Sequence, residues 1–160
     1  MSLKNIPKII HQTWKRKNDL PDPILKSINK WKDLNKEYKY KFYDDDDCRN
    51  FIKEHFGNEV SICFDILIPG AFKADLFRYC VLYIKGGVYA DIDTEPLISL
   101  SDILQNYNYD FVSVKEKNNI PGIYQAFIAC KPKILFLKKV IEQIVTNVKN
   151  KYYPNLKKYK

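Results

Sequence analysis

The sequence predicts an α/β fold, a mainly parallel sheet flanked by helices, built as one domain over residues 1–160. Three observations carry that prediction. Short apolar or alternating runs of strand length take turns with longer runs of helical periodicity. The helical stretch from Ala71 to Lys85 ends at Gly86 and Gly87 and passes at once into the apolar run "GVYADID", as a helix does when it returns to a sheet. No internal repeat and no Gly/Ser-rich linker interrupts this order, so nothing marks a domain boundary.

Taken in order, "IPKIIHQ" reads as an opening apolar strand. "DPILKSINKWKDLN" follows as a helix that sets Ile24, Leu25, Ile28, Trp31 and Leu34 on one face. In "YKYKFY" aromatic residues alternate with lysine at period two, the pattern of a half-buried strand. "DDDDCRNFIKEHFG" begins a helix with acids at its positive end and stops at Gly57. The next segment, "NEVSICFDILIPG", has no decided pattern. Beyond the Ala71–Lys85 helix, "GVYADID" is a strand broken by Pro96, "LSDIL" a short helix, "YDFVSV" and "IYQAFIAC" two strands, and Pro132 to about Asn150 a last amphipathic helix. Strands separated by helices place ligands at the carboxyl ends of the strands. Gly86 and Gly87 are expected at positive φ, where the chain reverses from helix to strand.

With 160 residues, 46% hydrophobic and 29% charged, the chain is long enough for one packed core, and wholesale disorder is excluded. Its net charge of +8 comes from 27 basic against 19 acidic residues, yet only Arg16, Arg49 and Arg78 are arginines. Lysines dispersed along the chain are unlike a nucleic-acid surface, so no nucleic-acid partner is expected; the positive field suits an anionic substrate. The terminal run "NLKKYK" reads as solvated. Cys48, Cys63, Cys80 and Cys130 lack C-x-x-C spacing, which argues for reduced, buried thiols over zinc ligands. Neither a signal-peptide pattern nor an apolar run of membrane-spanning length occurs, so no membrane segment is expected in this chain and the expected location is cytoplasmic.

The stretch "KADLFRYCVLYIKGGVYADID" sets three aspartates and one arginine into a run that is otherwise almost entirely apolar or aromatic. On a helix, Asp75 and Arg78 are neighbours, and the apolar residues around them leave little of that helix for open water. A paired acid and base there is either satisfied by the protein or used on a ligand. In an extended strand, Asp91 and Asp93 share a face with carboxylates roughly 6 to 7 Å apart. At an effective dielectric near 20 they repel by about 3 kcal/mol, which a divalent cation held by hard oxygen ligands, Mg²⁺ or Mn²⁺, would relieve. The D-x-D triplet alone carries little weight among 13 aspartates. "DDDD" at Asp44–Asp47 contains two more, which helix capping explains without a metal.

Taken together, "IPKIIHQTWK" and "KADLFRYCVLYIKGGVYADIDTEPL" resemble glycosyltransferase family 32, the sugar-transferase group with a D-x-D motif, and more distantly the catalytic domains of the large clostridial glucosylating toxins. The likeness is strongest over residues 6–14 and 71–97, and weaker through "YKYKFYDDDD" and "IYQAFIACKPKILFLKKVI". It implies a GT-A, Rossmann-like fold, a nucleotide-sugar donor, a Mn²⁺ or Mg²⁺ ion and transfer that retains anomeric configuration. By position, Asp75 and Arg78 would contact the donor sugar, Asp93 would bind the metal, Asp91 the ribose or the metal, and Tyr89 would line the donor site. Asp75, Arg78 and Asp93 are thereby the catalytic candidates. His11, with Ile10 and Gln12, matches a place near the nucleotide base, although a histidine at a strand end is commonly a hydrogen-bonded structural residue. Trp14 and Trp31 are expected in the core and His55 on the surface.

These readings lead to a metal-dependent glycosyltransferase that moves a hexose or N-acetylhexosamine from a UDP- or GDP-sugar to a glycan or protein hydroxyl. The resemblance also implies catalytic domains that run further at the carboxyl end, supplying another metal ligand and much of the acceptor site. A sugar-nucleotide-binding module without turnover is therefore the alternative.

Overall fold

The alternation read from sequence becomes layers in the computed structural model, which describes residues 6–104, 109–116 and 122–152. The run "NLKKYK" lies outside them. Five strands form one sheet: β1 (Ile9–Thr13), β2 (Lys39–Tyr43), β3 (Gly87–Ala90), β4 (Phe111–Lys115) and β5 (Ile123–Cys130), in the order β2-β1-β3-β5-β4. β1 pairs in parallel with β2 and β3, while β5 is antiparallel to both its neighbours, so four strands share one direction and β5 opposes it. A mainly parallel sheet is thus observed.

Helices α1 (Asp22–Leu34) and α4 (Leu100–Leu104) cover one face, where Trp31 and Leu100 pack with Ile10, Val88, Ala90 and Ala129. Helices α2 (Asp45–Ile66), α3 (Gly70–Lys85) and α5 (Leu135–Lys149) cover the other, joining Phe77, Cys80 and Leu137 to Tyr89, Ile128 and Cys130. Alternation along β3 explains the split: Val88 and Ala90 point to one layer and Tyr89 to the other, and all four residues of the strand are buried. The four cysteines are free and buried, as expected. Among the described residues no helix is long and apolar enough to cross a membrane.

Several local expectations shift. On α1 the buried face is narrower than the apolar pattern, comprising Ser27, Ile28 and Trp31; Leu25 and Leu34 stay 41% and 37% exposed. Helix α2 starts as predicted, with Asp44 and Asp47 capping one another: the Asp47 amide donates to Asp44 Oδ1 at 2.9 Å and the Asp44 amide to Asp47 Oδ2 at 3.2 Å. Gly57 (φ 80°) does not end helical structure but breaks it, and the undecided segment continues helically to Ile66. Arg49 grips Asp65 with two nitrogens at 2.6 to 2.9 Å. In a straight helix sixteen residues would separate them by about 24 Å, so the chain doubles back at Gly57.

Helix α3 buries seven consecutive residues, Leu76 to Leu82, because it lies between the sheet and α5; its first turn, with Phe72 at 45%, and Lys85 at its end open to solvent. It ends at Gly86 (φ 63°), whose amide donates to the Leu82 carbonyl, and Gly87 (φ 96°) starts β3. A methyl group on Gly87 would lie 2.6 Å from the Ile9 carbonyl oxygen. The reversal therefore needs glycine for conformation and for room.

The acidic motif departs most from its predicted setting. β3 stops at Ala90, so Asp91 and Asp93 do not alternate along a strand but sit in a turn closed by the Thr94 amide donating to the Asp91 carbonyl at 3.0 Å. The Asp91 amide still bonds the Ala126 carbonyl of β5 at 2.9 Å, the last rung before the chain leaves the sheet. Gly87→Ala is expected to lower stability by roughly 2 kcal/mol or more through backbone strain and overlap. Gly70→Ala, at a position with nothing within 4 Å and no positive φ, should be near neutral. Urea denaturation of both variants measures the contrast, and equal midpoints would show the reversal to be unconstrained.

Candidate functional site

The chain order places a crevice before any side chain is considered. From β1 the chain passes through α1 to β2 on one side, then through α2 and α3 to β3 on the other side of β1. Ligands of open α/β sheets bind at such a switch point, outside the carboxyl ends of the strands. A cavity of about 560 Å³ lies there. Thr13, Trp14 and Lys15 enter it from the end of β1, and Tyr89, Asp91 and Asp93 from the end of β3 and its turn. Lys73, Ala74 and Arg78 of α3 form a second wall, with Asp45, Cys48 and Phe64 of α2 beside them.

Arg78 ties these walls together. Buried to 4% exposure, it donates from Nη2 to Asp91 Oδ1 at 2.8 Å, pairs with Asp75 at 3.2 Å, and sits 4.8 Å over the Tyr89 ring. Its Nη1 reaches Gln125 at only 3.5 Å, and its buried Nε has no partner among the described residues. The guanidinium fork is thus only partly used by the protein. Burial raises the Asp75 carboxyl above its ordinary range although Arg78 acts to lower it. Burial also raises Asp91, and the nearby charges of Asp93 and Asp75 push the same way against Arg78. Arg78 thus answers two acids directly, Asp75 and Asp91, while the Asp93 charge also bears on Asp91.

Among the described residues no group of three or more His, Cys, Asp or Glu is arranged to hold a metal. The donor set that does meet the cavity, two carboxylates one residue apart in a turn, suits an ion of the Mg²⁺ kind, which binds through one or two carboxylates and takes its other ligands from phosphate and water. Asp91 and Asp93 fit such an ion, and the partly unused Arg78 fork fits an anion beside it.

The sequence-derived candidates divide accordingly. Arg78, Tyr89, Asp91 and Asp93 meet at the cavity, and Asp75 joins through Arg78. Ile10, His11 and Gln12 do not reach it: their exposures are 0%, 1% and 0%. Ile10 packs in the α1 layer, and Gln12 turns toward Tyr40 and the Asp91 carbonyl. His11 Nε2 donates to the Gly86 carbonyl at 2.9 Å, leaving Nδ1 to accept from the Tyr43 hydroxyl at 3.1 Å. The residues that do line the cavity come next: Thr13 ends β1, and Trp14 and Lys15 follow where the strand has run out. Trp14, expected in the core, is only partly buried there; its indole donates to the Asp19 carbonyl at 2.7 Å. Trp31 is core, and His55 is half-buried against Phe51. Sequence reasoning missed Trp14, Lys15, Lys73 and Asp45; for Trp14, Lys15 and Asp45 the available signal was that a parallel strand delivers function just past its carboxyl end.

His11 is held neutral. Burial lowers its pKa to about 4, partly opposed by the Gly86 hydrogen bond, with Lys41 and Lys85 adding to the decrease. The unfolded chain takes up a proton near pH 6.5 and the native state only near pH 4, so this group's share of stability is complete above pH 6.5 and is lost as pH falls. The expected loss is roughly 3 kcal/mol by pH 4. Denaturation of wild type and His11→Gln at pH 7 and pH 4.5 tests it, the stability difference between the two shrinking on acidification. Other titrating groups cancel in that difference.

Comparison with known proteins bears on family and fold. The model of the glycosyltransferase sugar-binding region containing a DXD motif matches residues 21–110. An initiation-specific alpha-1,6-mannosyltransferase of Candida albicans is 34% identical over 125 residues, covering 75% of this chain and 31% of that protein. A glycosyltransferase of Acanthamoeba polyphaga mimivirus is 32% identical over 152 residues, 89% of this chain and 60% of its own length. A mannosyl phosphorylinositol ceramide synthase of Saccharomyces cerevisiae is 30% identical over 155 residues, 93% and 38% respectively. The chain therefore spans between about a third and three fifths of these relatives. The PaToxG glycosyltransferase structure superposes with a TM-score of 0.70 at 16% identity over 95% of this chain and 65% of that one, a likeness of fold.

Proposed function

Because the chain belongs to the family of glycosyltransferase sugar-binding regions containing a DXD motif, we propose that its cavity binds a nucleotide-sugar donor for sugar transfer. The single observation that carries the reading is the meeting of Asp91, Asp93 and Arg78 in one cavity at the carboxyl end of β3. The reaction is transfer of a hexose or N-acetylhexosamine from a UDP- or GDP-sugar to a glycan or protein hydroxyl, with retention of configuration. Mannosyl transfer in the names of two relatives supports a hexose. A cytoplasmic setting is part of the proposal, supported by four cysteines that are all free.

Asp91 and Asp93 would hold Mn²⁺ or Mg²⁺, which when bound supplies positive charge to a departing diphosphate. The chain's own groups do the rest. The Arg78 fork, fixed by Asp75, Asp91 and the Tyr89 ring, presents donors to the anionic or hydroxyl groups of the donor. Asp75, 36% exposed at its side chain, accepts from sugar hydroxyls. Trp14 offers a flat apolar surface to the base at the mouth, and Lys15 and Lys73 bring positive charge to the phosphates from two walls. Holding the donor in one pose beside the acceptor, with cations placed where charge develops, is the source of rate.

Asp93→Asn should abolish Mn²⁺-dependent binding of UDP- and GDP-sugars, measured by calorimetry, while the unfolding midpoint stays within a few degrees of wild type. Asp93 lies at the cavity wall rather than in the core, so lost binding will not reflect lost folding. Wild-type affinity in that variant would remove the metal assignment. Release of free nucleotide, assayed on the same samples with candidate acceptors, separates an enzyme from a donor-binding module, which would bind without release.

A further inference from the structure

The two carboxylates that face the cavity are carried by a turn only four residues long, and a turn does not fix side-chain positions unless its backbone is held. Behind Asp91–Thr94, on the side away from the cavity, two carbonyls collect hydrogen bonds from buried polar groups. The Asp91 carbonyl accepts from Gln12 Nε2 at 3.3 Å as well as from the Thr94 amide and hydroxyl. Gln12 is itself fixed, its Oε1 accepting from the Tyr40 hydroxyl at 2.7 Å. The Thr94 carbonyl accepts from Ser27 Oγ at 2.6 Å and from the Trp31 indole at 2.9 Å. Gln12, Ser27 and Trp31 are 0%, 3% and 4% exposed, and neither they nor Tyr40 line the cavity.

These groups are costly to place. A polar side chain in the core sacrifices apolar packing, and an amide fully out of water costs free energy unless both its ends are paired. Here both ends of Gln12 are paired, and one of them ends on the acidic turn. The Ser27 and Trp31 donors come from a different element, α1, and converge on the Thr94 carbonyl at the other end of the same turn.

We propose that Gln12 with Tyr40, and Ser27 with Trp31, are positioning residues that clamp the Asp91–Thr94 turn from behind so that Asp91 and Asp93 present a preset pair of oxygens to a divalent cation carried by a nucleoside diphosphate. The inference deepens the donor-binding reading and rests on it. Metal affinity depends on the groups that orient the ligands as well as on the ligands, and losing such an orienting partner costs 10- to 100-fold. The apolar core keeps the fold without these donors, whereas the spacing of two carboxylates toward an ion does not survive a loosened backbone.

Two gentle variants, one on each arm, test the clamp. Tyr40→Phe removes only the hydroxyl that fixes Gln12, and Ser27→Ala removes one of the two donors to Thr94. Mn²⁺ affinity is measured by calorimetry and by the electron paramagnetic resonance of free Mn²⁺, with saturating UDP or GDP. Each single variant should bind Mn²⁺ several-fold more weakly and the double variant roughly tenfold or more. Binding of UDP or GDP without metal and the unfolding midpoint should change little, and Ser27→Thr, which restores a hydroxyl, should recover affinity over Ser27→Ala. Unchanged Mn²⁺ affinity in the folded double variant overturns the clamp while leaving the metal reading intact. A parallel loss of metal-free nucleotide binding and of unfolding midpoint also overturns it, since that marks a general structural role. Wild-type protein that binds no Mn²⁺ with either nucleotide removes the metal reading itself and this inference with it.

Discussion

The site depends on one buried cation. Arg78 lies in the most enclosed part of α3, and it joins that helix to the turn after β3 through Asp91 and to its own preceding turn through Asp75. Such a group adds little net stability, because removing a guanidinium and its carboxylates from water offsets much of what their attraction returns. Its value lies in the arrangement it enforces. Asp91 cannot move away from the cavity without leaving the buried guanidinium to the longer Asp75 contact alone, and the Tyr89 ring lies against the face of the fork. An arginine held in this way has donors to spare and nowhere else to direct them.

Around that cation the fold separates support from chemistry. The support lies behind the strands: His11 binds the Gly86 carbonyl and so fastens β1 to the helix-to-strand reversal, and Gly87 lets β1 approach closer than any other residue would allow. The chemistry lies past the strand ends, where Thr13 to Lys15 and Asp91 to Asp93 leave the sheet side by side. Parallel pairing of β1 with β3 brings the two exits together, so the adjacency of Trp14 and the acidic turn follows from topology and needs no special loop.

This division decides how much was legible in the sequence. Elements whose evidence is local were readable: the period-two lysines of β2, the acid cap of α2, and the α3 helix stopping at paired glycines. Arg78, Asp75, Asp91 and Asp93 stood out because charges in an apolar run conflict with burial, and such conflicts gather at functional sites. What depends on distant partners was not readable. No local pattern shows that the chain doubles back at Gly57, since the Arg49–Asp65 grip that accompanies the bend joins residues sixteen apart. Period-two alternation cannot say that the ladder ends at Ala90 either, because the end is set by Thr94 and Gln12 bonding the Asp91 carbonyl. His11 entered the site through the resemblance alone, while its place at a strand end already suggested a structural role, and its two hydrogen-bonding partners, Tyr43 and Gly86, turn it inward.

The protein also contains its own comparison for the Arg78 cluster. Arg49 and Asp65 are the same pair of residue types, half-exposed, joined by two nitrogens of the fork, and they draw the Asp65 carboxyl below its ordinary range, with the Arg49 hydrogen bond as the largest cause. That is a pair whose partners satisfy each other. Arg78 and Asp91 differ in each respect. The arginine is buried, one of its nitrogens is shared between two acids while Nε has none, and the Asp91 carboxyl lies above its ordinary range despite a cation at 2.8 Å. The same pair of residue types shifted in opposite directions means that burial and the neighbouring acids outweigh the arginine at Asp91. A carboxyl group in that condition gains more from an added cation than a satisfied one does, and the cavity gives such a cation a way in.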